Sequence, residues 1–460
     1  MAYLELLEYK EKELEIVKEK LWDGGKNTIG DRTLDLLKEV NEKFVDEETG
    51  TKKEFLDIRE YSEKRKVKIK AKNWVGLVSI NDWTMEILPK FIYNLKEEED
   101  LKNNRDGIIK NLVKMLQIAW NLPIRDVDIS SLKIGENSIF EVLLTIYSIK
   151  LLDAIKEGLY KEYIRVSDDL HYVKGQIDFA KYSRRWERRH IIPVNYNDRN
   201  PDNLINRTLK YAAYLASLYT RNSMNFSNLK MAENLMDSVS LVPVSASEID
   251  SITFTRLNEG YKPLINLARV IITNLSPEFT GGKKDVFAFL IPMEKVFERF
   301  IANSIVQNKS KVLGNDCKSC EVYVQGADQK KHLLKGSRFM LIPDIMIKIN
   351  GKRYIIDTKY KLLDTEDEKK YGVSQSDVYQ MLAYAYAYDT PKIMLLYPKG
   401  VGDFDKKEWE FENINSKLAG KKLIIETIDL MKYDLVKEYD KFLEELNKKI
   451  DELTKKENTS

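Results

Sequence analysis

The residues best suited to chemistry in this chain of 460 lie in one short stretch, YIIDTKYK, Tyr354 to Lys361. A β-prone run ends there on an acid and a lysine two residues apart, Asp357 and Lys359. The triplet alone carries little weight. With 75 Lys+Arg and 73 Asp+Glu, triplets of that form recur, as in Asp316-Cys-Lys318, Asp367-Glu-Lys369 and Asp405-Lys-Lys407. Its surroundings single it out. Asn350-Gly351 separates two strand-like runs, LIPDIMIKI and KRYIID, and Asn-Gly is the strongest two-residue hairpin signal because both turn residues need positive φ. With the turn there, Ile349 faces Lys352 and Asp344 falls opposite Asp357, their β-carbons about 4.5–5.5 Å apart. Lys359, two residues further on, shares that face, and Ile345, Ile347, Tyr354 and Ile356 form the other, a core face. Opposed carboxylates repel unless a cation lies between them. A pair of hard oxygen ligands suits magnesium or manganese, which can generate an attacking hydroxide and polarise a phosphate. The adjacent lysine could orient water or stabilise developing charge. The chemistry expected is phosphodiester hydrolysis; the plainer reading is an exposed strand end with Lys359 paired to Asp357.

Other elements must hold these groups in place. The sequence predicts a helix starting at Pro292, MEKVFERFIANSIV, with Glu294 and Glu298 one turn apart at the edge of its apolar face (Met293, Val296, Phe297, Phe300, Ile301). Either glutamate could complete a metal shell or be ordinary surface charge. A polar loop, Asp364 to Asp377, leads to a helix VYQMLAYAYAY. Gln380 and Tyr384 share a face there, in reach of Lys359 or a DNA backbone, or as a packing stripe. KIMLLYP, Lys392 to Pro398, reads as a buried strand. Residues 428–456 read as an amphipathic terminal helix with Leu435, Tyr439, Phe442, Leu446, Ile450 and Leu453 on one stripe. Upstream, residues 1–72 are charged and helix-prone. WVGLVSINDWTMEILPKF, Trp74 to Phe91, reads as a hairpin turning at Asn81-Asp82. Lys96 to Gly107 reads as a solvated connector, and residues 108–160 and 200–240 as helical. The densest basic, aromatic-interleaved run is Lys181 to His190. Its Arg184, Arg185, Arg188 and Arg189 could grip phosphates or a partner, or line a solvated helix face.

Composition removes several classes. Hydrophobic content of 43% supports packed cores. No apolar run approaches the ~18 residues of a membrane span. The amino-terminal stretch MAYLELLEYKEKELEIVKEK is a charged helical pattern and not a signal peptide, so a cytoplasmic location is expected. His171, His190 and His332 are the three histidines and no two lie close in sequence, a poor inventory for zinc chemistry or a Ser-His-Asp triad. Cys317-Lys-Ser-Cys320 is a lone CxxC without a second pair. The chain has no G-x-x-x-x-G-K-[ST] loop, so no nucleotide is expected to bind to it in that way. A net charge of +2 does not announce nucleic acid, which would have to be met by a local basic patch.

Pro343-Asp344, Asp357-Thr-Lys359 and Gln380-xxx-Tyr384, with a glutamate on a preceding helix, resemble the PD-(D/E)XK nuclease superfamily, in particular its RecB-like branch. The Phe-Glu step of PMEKVFERF selects Glu298 over Glu294 in that comparison. VGLVSINDWTMEILPKF, VNYNDRNPDNLINRTLKYAA and PMEKVFERF resemble, in order, segments of the McrC-type subunits of McrBC-like modification-dependent (5-methylcytosine) restriction systems. The resemblance covers most of the chain from about residue 70 onward. It implies an α+β multidomain protein: a charged helical extension at 1–72, a mixed helical and β-hairpin region at 73–285 that docks an AAA+ partner, and a PD-(D/E)XK α/β nuclease domain at 286–460. It further implies catalytic residues Asp344, Asp357, Lys359, Glu298, Gln380 and Tyr384, with Mg2+ (or Mn2+) held by Asp344, Asp357 and Glu298. The implied partners are a McrB-like AAA+ GTPase hexamer, whose hydrolysis this chain would stimulate, and double-stranded DNA carrying modified cytosine. Rival readings are a RecB-like repair nuclease with another motor and a non-catalytic regulator of an NTPase.

Overall fold

The structure is a computed structural model that describes all residues except 1, 20–24, 26, 47–50, 62–64, 92–97, 123, 132–134, 136, 276–285, 315–319, 327–329, 365, 366, 368, 401–403, 405, 413–417 and 455–460. Its described residues form two compact units, one of residues 1–142 with 279–460 and one of residues 143–278. It is a mixed α/β architecture with several sheets.

In the first unit the Asn81-Asp82 turn joins Trp74–Ile80 to Trp83–Leu88, as the alternation predicts. Asn81 takes a positive φ of 52° at that turn. Ala2–Leu7 adds to this hairpin in parallel on one side, and Val286–Pro292 adds antiparallel on the other. The expected helical extension over residues 1–72 is corrected here. Ala2–Leu7, Glu11–Val17, Thr28–Gly30, Leu56–Tyr61 and Lys66–Ala71 are strands, and the one helix among the described residues of this stretch is Asp31–Lys43. Alternation explains this. Val67, Ile69 and Ala71 are buried while their neighbours are not, and charged residues in between fill the solvent face. Period two therefore outweighs the helix propensity of Lys and Glu.

Three further expectations change. The solvated connector at Lys96–Gly107 is helical from Glu98, as part of Glu98–Trp120. Pro292 closes the strand and stands as the extended residue before helix Met293–Gln307. The terminal helix is Tyr439–Thr454, because Ile428 still belongs to strand Lys422–Ile428. Leu435 is buried from the connecting segment and not from a helical stripe.

The sheet that carries the acids has the order Glu321–Val324, Ile345–Ile349, Lys352–Thr358, Lys392–Pro398, Lys422–Ile428, Lys407–Glu410. Its three central strands, from Lys352–Thr358 to Lys422–Ile428, run parallel. Helix Gln375–Tyr388 is the connection between the first two of them. Ser374 starts that helix by accepting from the Asp377 amide, and Asp389 ends it in the left-handed region. Parallel strands are covered on both faces, which alters one detail of the expected hairpin. The acid-bearing face is core as well, since Met346 and Ile355 pack with Met381, Tyr384 and Tyr388 of the helix.

In the second unit, Glu162–Leu170, Ile192–Asn200 and Gln176–Ile177 form a three-stranded sheet. Helices Leu204–Tyr219, Ser223–Leu235 and Lys262–Leu275 carry its apolar core. Asn203 caps the first of these through the Asn206 amide.

Candidate active site at the acid hairpin

Asn350 and Gly351 sit at φ 49° and 79°, the pair of positive angles that a two-residue turn of this kind requires. Ile349 pairs with Lys352 and Ile345 with Ile356, so continuing the ladder by one step sets Asp344 against Asp357. The two carboxylates do not share a hydrogen. Asp344 Oδ2 instead accepts from the Thr358 amide at 2.8 Å and from Thr358 Oγ1 at 2.8 Å. The Asp357 side chain is 1% exposed, and neither of its oxygens meets an aligned hydrogen-bond donor. Lys359 Nζ lies 2.6 Å from Asp357 Oδ2 as an ion pair and donates to Gln380 Oε1 at 3.0 Å. Gln380 Nε2 in turn donates to Tyr384 Oη at 3.1 Å, and the Tyr384 hydroxyl donates to the Ile342 carbonyl at 2.8 Å.

Electrostatics mark the pair as under-neutralised. Burial, then the charges of Asp357 and Glu298, push the Asp344 carboxyl up to about 8. Burial also raises Asp357, against the pull of Lys359. Burial alone would lower Lys359, but Asp357 beside it holds the ammonium above its ordinary value. One lysine against a buried and a half-buried carboxylate leaves a deficit of positive charge, a setting that suits a divalent cation bound by one or two carboxylates together with water and phosphate.

The two glutamates of helix Met293–Gln307 part company. Glu298 accepts from Gln325 Nε2 at 3.2 Å and from Lys295 at 3.4 Å, and its charge acts on both aspartates. Glu294 bonds to Asn73 and its charge acts on Glu8. Among the described residues no group of three or more His, Cys, Asp and Glu side chains is arranged to hold a metal. Arg184, Arg185, Arg188 and Arg189 lie in the second unit on the short helical turns Phe179–Arg184 and Trp186–Arg188 and just after them. Arg185 is paired there with Asp169 at 2.5 Å. Cys317 lies outside the described residues, and Cys320 is buried.

Several residues that hold the site escaped the sequence. Thr358 sits inside the triplet, and its role as a clamp on Asp344 could have been inferred from the hairpin register. Asp377, which pairs with Lys361 at 3.2 Å, had no such signal. Tyr360, directly after Lys359, is buried. Its hydroxyl donates to Glu8 Oε2 at 2.8 Å, its carbonyl accepts from Lys90 Nζ at 2.6 Å, and its ring lies 5.8 Å from that of Phe297. Glu8 and Lys90 are hundreds of positions away, and no local pattern links any of these partners to Tyr360.

A family model described as McrBC 5-methylcytosine restriction system component matches residues 69–398. The Type IV methyl-directed restriction enzyme EcoKMcrBC of Escherichia coli (strain K12) is 24% identical over 292 residues, 61% of this chain and 81% of that protein. A chain of the tetradecameric assembly of Thermococcus gammatolerans McrB AAA+ hexamers with bound McrC has a similar fold. The TM-score is 0.63 at 21% identity, over 98% of this chain and 100% of that one.

Proposed function

The chain belongs to the McrBC 5-methylcytosine restriction system component family, and on that premise we propose that it is the McrC-like, DNA-cutting subunit of a modification-dependent restriction complex. In this reading residues 286–460 are a PD-(D/E)XK nuclease domain and residues 73–285 dock a McrB-like AAA+ GTPase ring and stimulate its hydrolysis. The observation that carries the reading is the opposed pair of Asp344, half-buried, and Asp357, buried, with Lys359 against it. The similar fold of a chain from an McrB–McrC assembly supports the choice of partner, and the methyl-directed relative supports double-stranded DNA with modified cytosine as substrate.

Asp344 and Asp357, with Glu298, whose charge acts on both, would hold a magnesium ion; bound there, it would supply Lewis acidity and a more acidic water. The protein's own groups do the rest. Thr358 fixes one oxygen of Asp344 through its amide and hydroxyl, and the other oxygen would be the one available as a ligand. Lys359 Nζ, held between Asp357 and Gln380, is placed to stabilise negative charge growing on the phosphate. Tyr384 keeps Gln380 aligned with that lysine. Arg184, Arg185, Arg188 and Arg189 serve as contacts to DNA or to the ring.

The test is cleavage of methylated and unmethylated DNA by the full chain with its AAA+ partner, magnesium and GTP, wild type against Asp357→Ala. Cutting should need methylation and GTP and fall by at least about a hundredfold in the variant, with partner binding and GTPase stimulation intact. Cutting that needs Asp357 but not GTP would favour a repair nuclease. GTP hydrolysis stimulated without any cutting by the wild type would favour a non-catalytic regulator.

A further inference from the structure

The strand that delivers Asp344 is preceded by a feature that the site described above does not use. Lys331–Leu334 and Arg338–Leu341 form a two-stranded ribbon turning at Lys335-Gly336-Ser337. Every residue from Lys331 to Met340 is exposed, on both faces of the ribbon. Pairing of Leu334 with Arg338 and of His332 with Met340 sets those four on one face and leaves Leu333 and Phe339 on the other. Phe339 is 70% exposed and Leu334 53%. An isolated two-stranded ribbon is marginal at best in water, and apolar side chains projected this far mark an interaction site. Phe339 also holds a φ of 55°, which a bulky residue rarely adopts and which recurs at ligand-contacting positions.

Charge identifies the occupant. Residues 329–342 carry Lys330, Lys331, Lys335 and Arg338 and no acid, in a chain whose cations and acids otherwise nearly balance at 75 and 73. Two copies of such a ribbon would repel each other, whereas a polyanion would be drawn to it. A two-stranded ribbon is also one of the shapes that the major groove of a DNA duplex admits. The root of the ribbon is fastened to the site. The Tyr388 hydroxyl donates to the Leu341 carbonyl at 2.9 Å and Tyr384 to Ile342 at 2.8 Å. Both tyrosines stand on the helix whose Gln380 holds Lys359, and Pro343-Asp344 follow at once.

We propose that the ribbon Lys331–Leu341 grips the substrate duplex next to the bond to be cut, with Lys335 and Arg338 on phosphates and Leu334 and Met340, on the face of Arg338, against the groove. The proposal rests on the nuclease reading for its substrate, but its test does not depend on cleavage. Binding of a short fluorescein-labelled duplex to the full chain would be followed by anisotropy across a salt series without divalent metal, for wild type and the double variant Lys335→Ala/Arg338→Ala. The double variant should bind more weakly at low salt. The slope of log K against log salt should flatten by roughly 1.8, about 0.9 for each phosphate that the variant no longer neutralises. Both substitutions lie at an exposed tip, so thermal melting should be unchanged. An unchanged slope and affinity in the double variant would overturn the proposal. So would Phe339→Ala converting a dimer to a monomer in sedimentation with DNA binding unaltered, since the ribbon would then join two copies of the chain. Cleavage that survives Asp357→Ala would remove the acid-pair reading and leave the slope measurement to judge the ribbon by itself.

Discussion

A buried charge is costly unless matched, and Glu8 is a case removed from the acid pair. Its carboxylate accepts from the Lys90 amide at 2.9 Å and from Tyr360 Oη, while its other oxygen has no partner. Burial pushes it up to about 7, against the pull of Lys90 and with a contribution from Glu294. Burial likewise lowers Lys90 to about 8, and that ammonium stands over the rings of Tyr9 and Tyr360. The direction of the effect on stability follows. The unfolded chain releases the Glu8 proton near 4.5, and the folded chain holds it to about 7. This contribution to stability is therefore complete below the lower value and lost as pH rises through the upper one. Glu8→Gln keeps both acceptor bonds and cannot ionise. Melting temperatures measured from pH 5 to pH 8 should fall less steeply in the variant than in the wild type; parallel profiles would show that Glu8 does not titrate in this range.

At the scale of elements, helix Gln375–Tyr388 is the support on which the site depends. Its inner residues pack on the acid face of the sheet while Gln380 and Tyr384 reach the lysine and the root of the ribbon. Tyr384→Phe keeps the packing and removes one hydroxyl that both donates and accepts. The Ile342 carbonyl and the Gln380 amide then lose a partner in a part-buried setting. A loss of about 1–2 kcal/mol is expected in urea unfolding, together with slower cutting because Gln380 no longer holds Lys359 in line. Full stability with reduced cutting would mean that the hydroxyl serves alignment alone.

At the scale of the molecule, the described strands and helix of the first 72 residues belong to the core of the first unit. Leu4, Leu6, Leu14, Ile29, Leu34, Leu37, Phe55, Val67 and Ile69 share one core with Trp74, Val78, Trp83 and Met85 of the hairpin. Ala2–Leu7 is hydrogen-bonded along the whole of Trp83–Leu88. Deleting residues 1–72 would strip that sheet of a strand and expose Trp83, now buried, along with its neighbours. The truncated chain should be recovered aggregated, or without a cooperative melt by circular dichroism. A soluble truncated chain with a sharp melt would return this segment to the status of an appendage.

What the sequence determined alone is local and periodic. Asn-Gly sets a turn, the turn sets the register, and the register brings Asp344, Asp357 and Lys359 to one end of a hairpin with no knowledge of the rest. The helix spacing of Gln380 and Tyr384, and of Glu294 and Glu298, is likewise intrinsic, as is the hairpin at Asn81-Asp82. The tertiary structure decided what short-range pattern cannot encode. Whether Lys- and Glu-rich stretches near the amino terminus become helix or strand depends on a partner strand being available, and Trp83–Leu88 supplies one. Which glutamate reaches the aspartates depends on how helix Met293–Gln307 is set along its axis against the sheet, and the partner of Glu294 is Asn73, 221 positions away. The contacts of Tyr360 with Glu8 and Lys90 and the cover over the acid face arise from packing between distant segments. Burial and pairing are properties of the closed core, so the raised carboxyl of Asp344 and the buried ion pair of Asp357 with Lys359 appear only once that core is formed.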